Sequence, residues 1–474
     1  MPDILKIRNP RSGEFDYEIS VTTSAEIAPL AEELRDAQTS WLRAGVDHRT
    51  EVLQRWKNEI TVASDEILDA LSADTGRRAI ARGEIFGVCG MIDNWCQLAP
   101  TLVAGDERPS SHLPDVALRR QLDPYPLLGV ISPWNFPFLL SFIDAIPALV
   151  AGCAAIIKPS EVTPRFAAAV AATIRNVPEL HAVLRFISGD GRAGASLIEH
   201  VDVVAFTGSV ATGRKVAAAA AEAFIPAFLE LGGKDPAVIL PGSDLERAST
   251  SILRASIAAT GQACQSLERI YVHKDQHDEF VELLAEKAEA AKLSFPDPDQ
   301  GIVGPLIFDR QAEIIADHIE DAVAKGATIR TGGKVLDHGG GRWIEPTILT
   351  DVNHSMKVMT EETFGPVMPV MAYETTDAAR RLANDTEFGL SGAVFAATEA
   401  EAIAFAEQLD AGGISINDAG MTTMTFEACK QAFKMSGMGP SRMGPTGLTR
   451  FFREKALYLN RGPVTPIETQ AEGQ

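Results

Sequence analysis

From Leu127 to Phe224 the chain alternates short, largely apolar runs with segments of helical period. Leu127–Ile131 and Ala154–Ile157 are apolar on both faces of a strand, and Val183–Ile187 and Val201–Phe206 are so apart from Arg185 and Asp202. Phe138–Val150, Arg165–Ile174, Gly194–Glu199 and Gly213–Phe224 carry apolar residues at three- and four-residue spacing. A strand buried on both faces needs a cover on each, so this alternation predicts a parallel sheet with helices on both sides. Ligands of such sheets sit at the carboxyl ends of the strands. A second unit of the same kind begins at Asp235–Leu240. It continues through helices at Leu245–Ala259, His277–Ala291 and Asp309–Lys325 and strands at Val367–Tyr373 and Ala393–Ala397. Upstream, residues 25 to 62 and 64 to 102 read as two amphipathic helices.

At 474 residues the chain is too long for one hydrophobic core. Its 46% apolar and 23% charged residues are those of a globular protein. A formal charge of −21 argues against nucleic acid or an anionic membrane as partner. The most apolar stretch, Gly129 to Ile157, is interrupted by Pro133, Asn135, Pro137, Asp144 and Pro147, so it is not read as a membrane span. No secretory signal is evident, and a cytoplasmic location is expected. The five cysteines show neither paired nor metal-ligand spacing, so no disulfide framework and no metal site is expected. Cys89, Cys96 and Cys153 read as core residues.

Cys264, in Gly261-Gln262-Ala263-Cys264, differs because it sits among small residues. Glu230, before Gly232-Gly233, offers a carboxylate, and Asn135, in Pro133-Trp134-Asn135-Phe136-Pro137, offers an amide. Together they suggest covalent attack on a carbonyl carbon: a thiol nucleophile, a base and a donor for a negative oxygen. The turn Gly208-Ser209-Val210-Ala211-Thr212-Gly213 between a strand and a helix suits either a phosphate or a tight turn. Lys158-Pro159-Ser160-Glu161 suits either ribose hydroxyls or a surface ion pair.

These segments, with Phe206-Thr207-Gly208-Ser209, Glu230-Leu231-Gly232-Gly233-Lys234 and Glu361-Glu362-Thr363-Phe364-Gly365-Pro366, occur in an order and spacing that resembles the aldehyde dehydrogenase superfamily. The resemblance runs from about Asn9 to about Asn460. It implies an α/β fold: a Rossmann-like cofactor domain (1–106 and 125–232), an α/β catalytic domain (233–435) and a small β oligomerisation element with the C-terminal tail (107–124 and 436–474). It implies Cys264 as nucleophile, Glu230 as general base and Asn135 as oxyanion donor.

The resemblance also implies cofactor contacts. Lys158, Ser160 and Glu161 fall at the adenosine ribose, Gly208, Ser209 and Gly213 at the pyrophosphate, and Glu362 at the nicotinamide ribose. Ile131, Ser132, Trp134, Leu231 and Phe364 complete that set. The cofactor implied is NAD, with NADP as an alternative, and the acyl group passes to water rather than coenzyme A. Leu140, Ile143 and Ala258 would flank the aldehyde, with Met421 and Phe426 at the entrance. Those segments show no Arg or Lys, which points to an aromatic or medium-chain apolar aldehyde. A homodimer or homotetramer is expected. Phe426 to Phe433 departs from the family pattern, which reads Pro-Phe-Gly-Gly there. The competing readings are a thiol esterase or acyl transferase using the same residues, and a non-catalytic protein that keeps the fold.

Overall fold

The computed structural model describes residues 3–470 and 472. Two large sheets organise it. In the first, the strand order is Gly437–Met438, Ala227–Glu230, Val203–Thr207, Leu127–Ile131, Ala154–Lys158, Leu184–Phe186. All pairings are parallel except the terminal one, where Gly437 lies opposite Glu230 and runs antiparallel. Every residue of the strands Leu127–Ile131, Ala154–Lys158 and Val203–Thr207 is buried, as their apolar runs require, and the last two strands end in buried polar residues, Lys158 and Thr207. Each large apolar side chain so buried stabilises the fold by roughly 1.5–3 kcal/mol.

Helices cover both faces of this sheet. Trp56 is wholly buried, 5.0 Å from the Phe142 ring, and its indole N–H donates to Thr173 Oγ1 at 2.9 Å. A partner for that N–H is what makes a buried indole affordable.

The second sheet has the order Thr328–Thr331, Thr347–Thr350, Val367–Tyr373, Leu267–His273, Asp235–Ile239, Ser391–Phe395, Gly413–Ile416. It is parallel apart from its first pair. A third, three-stranded antiparallel sheet joins Asp106–Pro109 and Val116–Pro124 to Phe452–Asn460. The α/β reading of the sequence thus holds. Among the described residues no helix is long and apolar enough to cross a membrane.

The long helical readings divide. Residues 25 to 62 form two helices, Ser24–Arg43 and Gly45–Val62, and 64 to 102 form Ser64–Thr75 and Arg78–Leu102. The second break falls at Gly76, whose φ of 67° is left-handed and ends the helix. The reading Phe138–Val150 divides into Pro137–Phe142 and Ala145–Ala151 around buried Asp144, which accepts from Arg442 and Arg450. Amphipathic period alone does not register such breaks.

Candidate active site

The carboxyl ends of four neighbouring strands stand in a row. Ile131 pairs with Lys158 on one side and with Phe206 on the other, and Thr207 pairs with Glu230. The Ser132 N–H donates to the Lys158 carbonyl, and its hydroxyl pairs with Ser141 at 2.7 Å. Lys158 Nζ lies 3.0 Å from Glu161, and the buried Ser160 hydroxyl accepts from the Val162 N–H. Thr207 leads through Gly208 to Ser209, whose side chain caps the helix Val210–Glu222 by accepting from the Thr212 N–H. At Gly213 an added Cβ would stand 2.5 Å from Leu231, so glycine lets that helix approach the next strand's exit.

Cys264 follows a strained loop. Ala259, Thr260 and Gly261 all have left-handed backbones, with φ of 53°, 63° and 68°. Two of the three are not glycine, so the conformation costs of order 1–3 kcal/mol per residue and persists because its surroundings impose it. Those surroundings are specific. Buried Arg77 donates to the Ala259 carbonyl at 2.7 Å and to the Asn135 carbonyl. Gln262 donates to the carbonyls of Ala259 and Pro305 and accepts from the Ile307 N–H. An added Cβ on Gly261 would meet the Gly365 backbone at 2.3 Å.

A second clamp holds the loop carrying Glu362 and Phe364. Glu268 accepts from the N–H groups of Thr363 and Phe364, both at 2.7 Å, and from Lys234 Nζ at 2.6 Å. Glu362 in turn accepts from the Gly233 N–H at 3.0 Å. Burial, then the nearby Glu268 charge, pushes the Glu362 carboxyl up to about 8. Phe364 meets Trp134 edge-on at 5.3 Å.

One cleft of about 210 Å³ joins these parts. Its walls include Trp134, Asn135, Leu140, Gly208, Ser209, Leu231, Cys264, Glu362 and Phe364. It therefore runs from the amino end of a helix to the thiol. The Asn135 amide donates one hydrogen to the Gln262 carbonyl at 2.9 Å, which leaves its second for the cleft. Cys264 keeps partial exposure, but its enclosure pushes the thiol up to about 12; Lys430 opposes the rise and Glu362, Asp235 and Glu230 add to it. The helix end, the Lys158–Glu161 pair and the half-buried Glu362 fit a dinucleotide, with its phosphates at free N–H groups and its sugars at carboxylates.

The aldehyde-side residues do not converge on one wall. Leu140 lines the cleft, while Ile143 and Phe426 line a neighbouring cavity of about 290 Å³. Ala258 and Met421 are exposed and line neither of these two cavities. Met424, 67% exposed, lines the neighbouring cavity where Met421 was expected. Its other walls include Met91, Trp95 and Arg442.

That arginine corrects the reading of a cation-free pocket. It comes from a Gly/Pro-rich stretch with no local pattern to mark it. It donates to Asp144 at 2.6 Å and to Thr207 at 2.7 Å, and its Nε lies 3.9 Å from Glu230. Arg77, Lys234, Glu268 and Lys430 were likewise given no site role from sequence. Arg77 and Glu268 carried no motif, whereas Lys234 and Lys430 stood inside quoted segments. The remaining cysteines divide as expected in part: Cys153 is buried, Cys89 and Cys96 are partly buried against the core, and Cys429 is exposed. No cluster able to hold a metal occurs among the described residues.

Comparison with known proteins gives the relatives of this chain. The model of the aldehyde dehydrogenase family matches residues 2–457. A candidate succinate-semialdehyde dehydrogenase [NADP(+)] of Mycolicibacterium smegmatis is 33% identical over 448 residues, covering 94% of this chain and 86% of that protein. The 3,6-anhydro-alpha-L-galactose dehydrogenase of Streptomyces coelicolor is 32% identical, covering 96% and 93%. The structure of PutA from Anabaena variabilis, described as a candidate aldehyde dehydrogenase, superposes with a TM-score of 0.97 at 50% identity, covering 98% and 99%. With the family model spanning almost the whole length and the fold shared to its ends, this chain belongs to the aldehyde dehydrogenase family.

Proposed function

We propose that this chain oxidises an aldehyde to a carboxylic acid with a nicotinamide dinucleotide, through covalent intermediates on Cys264. The observation that carries the reading is the single cleft shared by Ser209 at a helix amino end, Asn135 and Cys264. The sulfur of Cys264 attacks the carbonyl carbon, and the carbonyl electron pair moves to oxygen. The free Asn135 N–H and the backbone N–H of Cys264 stabilise that oxygen, each worth a factor of ~10²–10³. When bound, the dinucleotide supplies the acceptor for the hydride leaving the thiohemiacetal carbon. A thioester then remains on Cys264. Glu230 takes the proton of the water that attacks it, and the acid departs as the sulfur is released.

Glu230 stands near Arg442 and must turn from it toward the thioester. The space beside Gly232 and Gly233 is taken by Glu362 and by the Cys264 carbonyl, at 2.5 and 2.4 Å from where a Cβ would stand. In Glu230→Gln we expect a burst of reduced cofactor of about one equivalent per site, then slow turnover. A variant with unimpaired steady-state turnover removes Glu230 from the reaction.

NAD is the proposed preference, with NADP a usable second cofactor. The Glu161 carboxylate can accept from ribose hydroxyls and opposes a 2′-phosphate, while Lys158 beside it moderates the exclusion. The relative from M. smegmatis, named for NADP, makes the comparison of kcat/KM for the two cofactors the deciding test.

The proposed substrate is an aromatic or medium-chain apolar aldehyde. Support comes from Met91, Trp95, Ile143 and Phe426 around the neighbouring cavity, where the charge of Arg442 is already matched by Asp144. The name of that same relative points instead to a semialdehyde acid. Higher kcat/KM for succinic semialdehyde than for benzaldehyde or hexanal overturns the apolar reading. We further assign cofactor binding to 1–106 and 125–232, catalysis to 233–435, and assembly into a homodimer or homotetramer to 107–124 with 436–474. The exposed strand Phe452–Asn460, an edge of the three-stranded sheet with Tyr458 74% exposed, supports the last assignment.

A further inference from the structure

The segment that departs from the family pattern carries a cation inward. Lys430 is 7% exposed, and its backbone N–H donates to the Ser441 hydroxyl at 2.9 Å. Its aliphatic stem crosses Gly413, where an added Cβ would stand 2.7 Å from Lys430 Cδ. At the end of this stem, Nζ has no hydrogen-bond partner. A buried ammonium without a partner is costly, and such a charge is worth keeping where something negative is to be met.

The groups that act on it are known. Lys430 is faced by the charges of Glu230, Cys264, Asp235 and Arg442; burial pulls its ammonium down, and the first three oppose this. Cys264 is faced by Lys430, Glu362, Asp235 and Glu230, and the Arg442 guanidinium acts on it as well; Lys430 is the stronger cationic influence, because Arg442 is already paired with Asp144. Asp235 accepts from the Ser391 N–H and hydroxyl, and burial pushes its carboxyl up to about 7. With Glu362 pushed up to about 8, these two carboxyl groups are largely or partly protonated near neutrality and repel a negative sulfur less. Glu230 has Arg442 beside it at 3.9 Å. Lys430 itself lines neither the cleft nor the neighbouring cavity, so a carboxylate at the far end of a substrate held there would not meet it.

We propose that Lys430 is the built-in counter-ion of the Cys264 thiolate, a positioning residue that eases loss of the thiol proton inside an enclosed site. The S–H bond breaks with its electron pair left on sulfur, and the proton passes to solvent. No bond to Lys430 forms, and its ammonium keeps its three hydrogens. The inference rests on Cys264 being the nucleophile.

The test follows alkylation of Cys264 by iodoacetamide against pH in the full-length protein. Modification is read on the Cys264 peptide by mass spectrometry, because Cys429 is also exposed. In Lys430→Met the inflection should move upward, slowing alkylation at neutral pH about tenfold or more. Lys430→Arg should restore it in part, and the uncharged Lys430→Gln should behave as Lys430→Met does. A merely structural role would leave the profile in place once cofactor affinity and circular dichroism are matched. Coincident profiles for the native and Met proteins overturn the proposal. So does an unmoved profile accompanied by a selective rise in KM for succinic semialdehyde over benzaldehyde, which would make Lys430 a substrate anchor. Cys264→Ala separates the two levels: dehydrogenase activity there defeats the catalytic reading itself, whereas an inactive Cys264→Ala with an unmoved Lys430→Met profile defeats this inference alone.

Discussion

On one side of Cys264 most buried polar atoms find partners, Arg77 Nε and one Glu84 oxygen excepted. The Gln262 amide makes three hydrogen bonds, Glu268 takes two N–H groups and the Lys234 ammonium, and Arg77 ties Ala259 to Asn135. On the other side, between Phe426 and Met443, Lys430 Nζ and Arg442 Nε are buried without a hydrogen-bond acceptor. The first side fixes a strained backbone. The second keeps the Lys430 ammonium unpaired where we propose that it meets the Cys264 sulfur. The difference teaches that dense hydrogen bonding marks where the backbone of a site is held, and that an unpaired buried ammonium marks a place to test for work.

The comparison is broken most severely at the residue between the two sides. Cys264→Ala should reduce turnover to background while leaving dinucleotide affinity intact, measured by cofactor reduction and by equilibrium binding. Retained turnover would empty both sides of their meaning. Next in size, Asn135→Ala should lower kcat by ~10²–10³, because it removes the side-chain donor proposed for the oxyanion. A change confined to KM would show that Asn135 serves only to hold Gln262.

The two sides should also differ in what they contribute to stability. Lys234 and Glu268 have side chains 0% and 2% exposed, and Lys234→Met strands a carboxylate there, costing about 3–5 kcal/mol. Lys430→Met removes a charge that lacks a hydrogen-bond partner and should leave the urea midpoint unchanged or higher. Equal losses in the two variants would erase the distinction.

The smallest effect concerns a weak point on the matched side. Glu84 is 2% exposed; one of its oxygens accepts from the Phe138 and Leu139 N–H groups at 2.9 and 3.0 Å, and the other is unpartnered. Burial pushes its carboxyl up to about 7, against roughly 4.3 in an unfolded chain. Between those values the folded protein holds the proton that the unfolded chain has lost. The contribution to stability is therefore full below the window and falls as pH rises through it. Glu84→Gln should flatten the decline in unfolding free energy between about pH 5 and 7. Asp235, also pushed up to about 7, supplies a decline that remains.

Much of the architecture could be read from the chain. Leu127–Ile131 and Val203–Thr207 have no polar face, and such strands belong in the middle of a covered sheet. Asn135, Glu230, Cys264 and Glu362 stood in recognisable segments. What escaped was relational. Arg442 is brought to Glu230 and Thr207 by tertiary packing, and nothing near it in sequence marks it out. Lys430 was quoted within an unusual segment, but that its ammonium would be buried and unpartnered follows from the close passage over Gly413. The helix breaks at Gly76 and Asp144 were hidden because apolar period continues across them.

The strand Gly437–Met438 closes the edge of a sheet whose other members all lie before Leu231, and the same late stretch supplies the hydrogen bond from the Leu231 N–H to the Ser436 carbonyl and the arginine beside Glu230. A ribosome delivers these pieces in the opposite order to their need. Synthesis runs at about 5–20 residues per second, so the first sheet waits, edge uncovered, for more than ten seconds while the second unit is made. Once Cys264 has been made, the nascent chain holds a thiol with no finished chamber around it until this late stretch arrives. Assembly from the tail thus acts as a delay on reactivity, and leaves an exposed strand edge as the state a chaperone would have to guard.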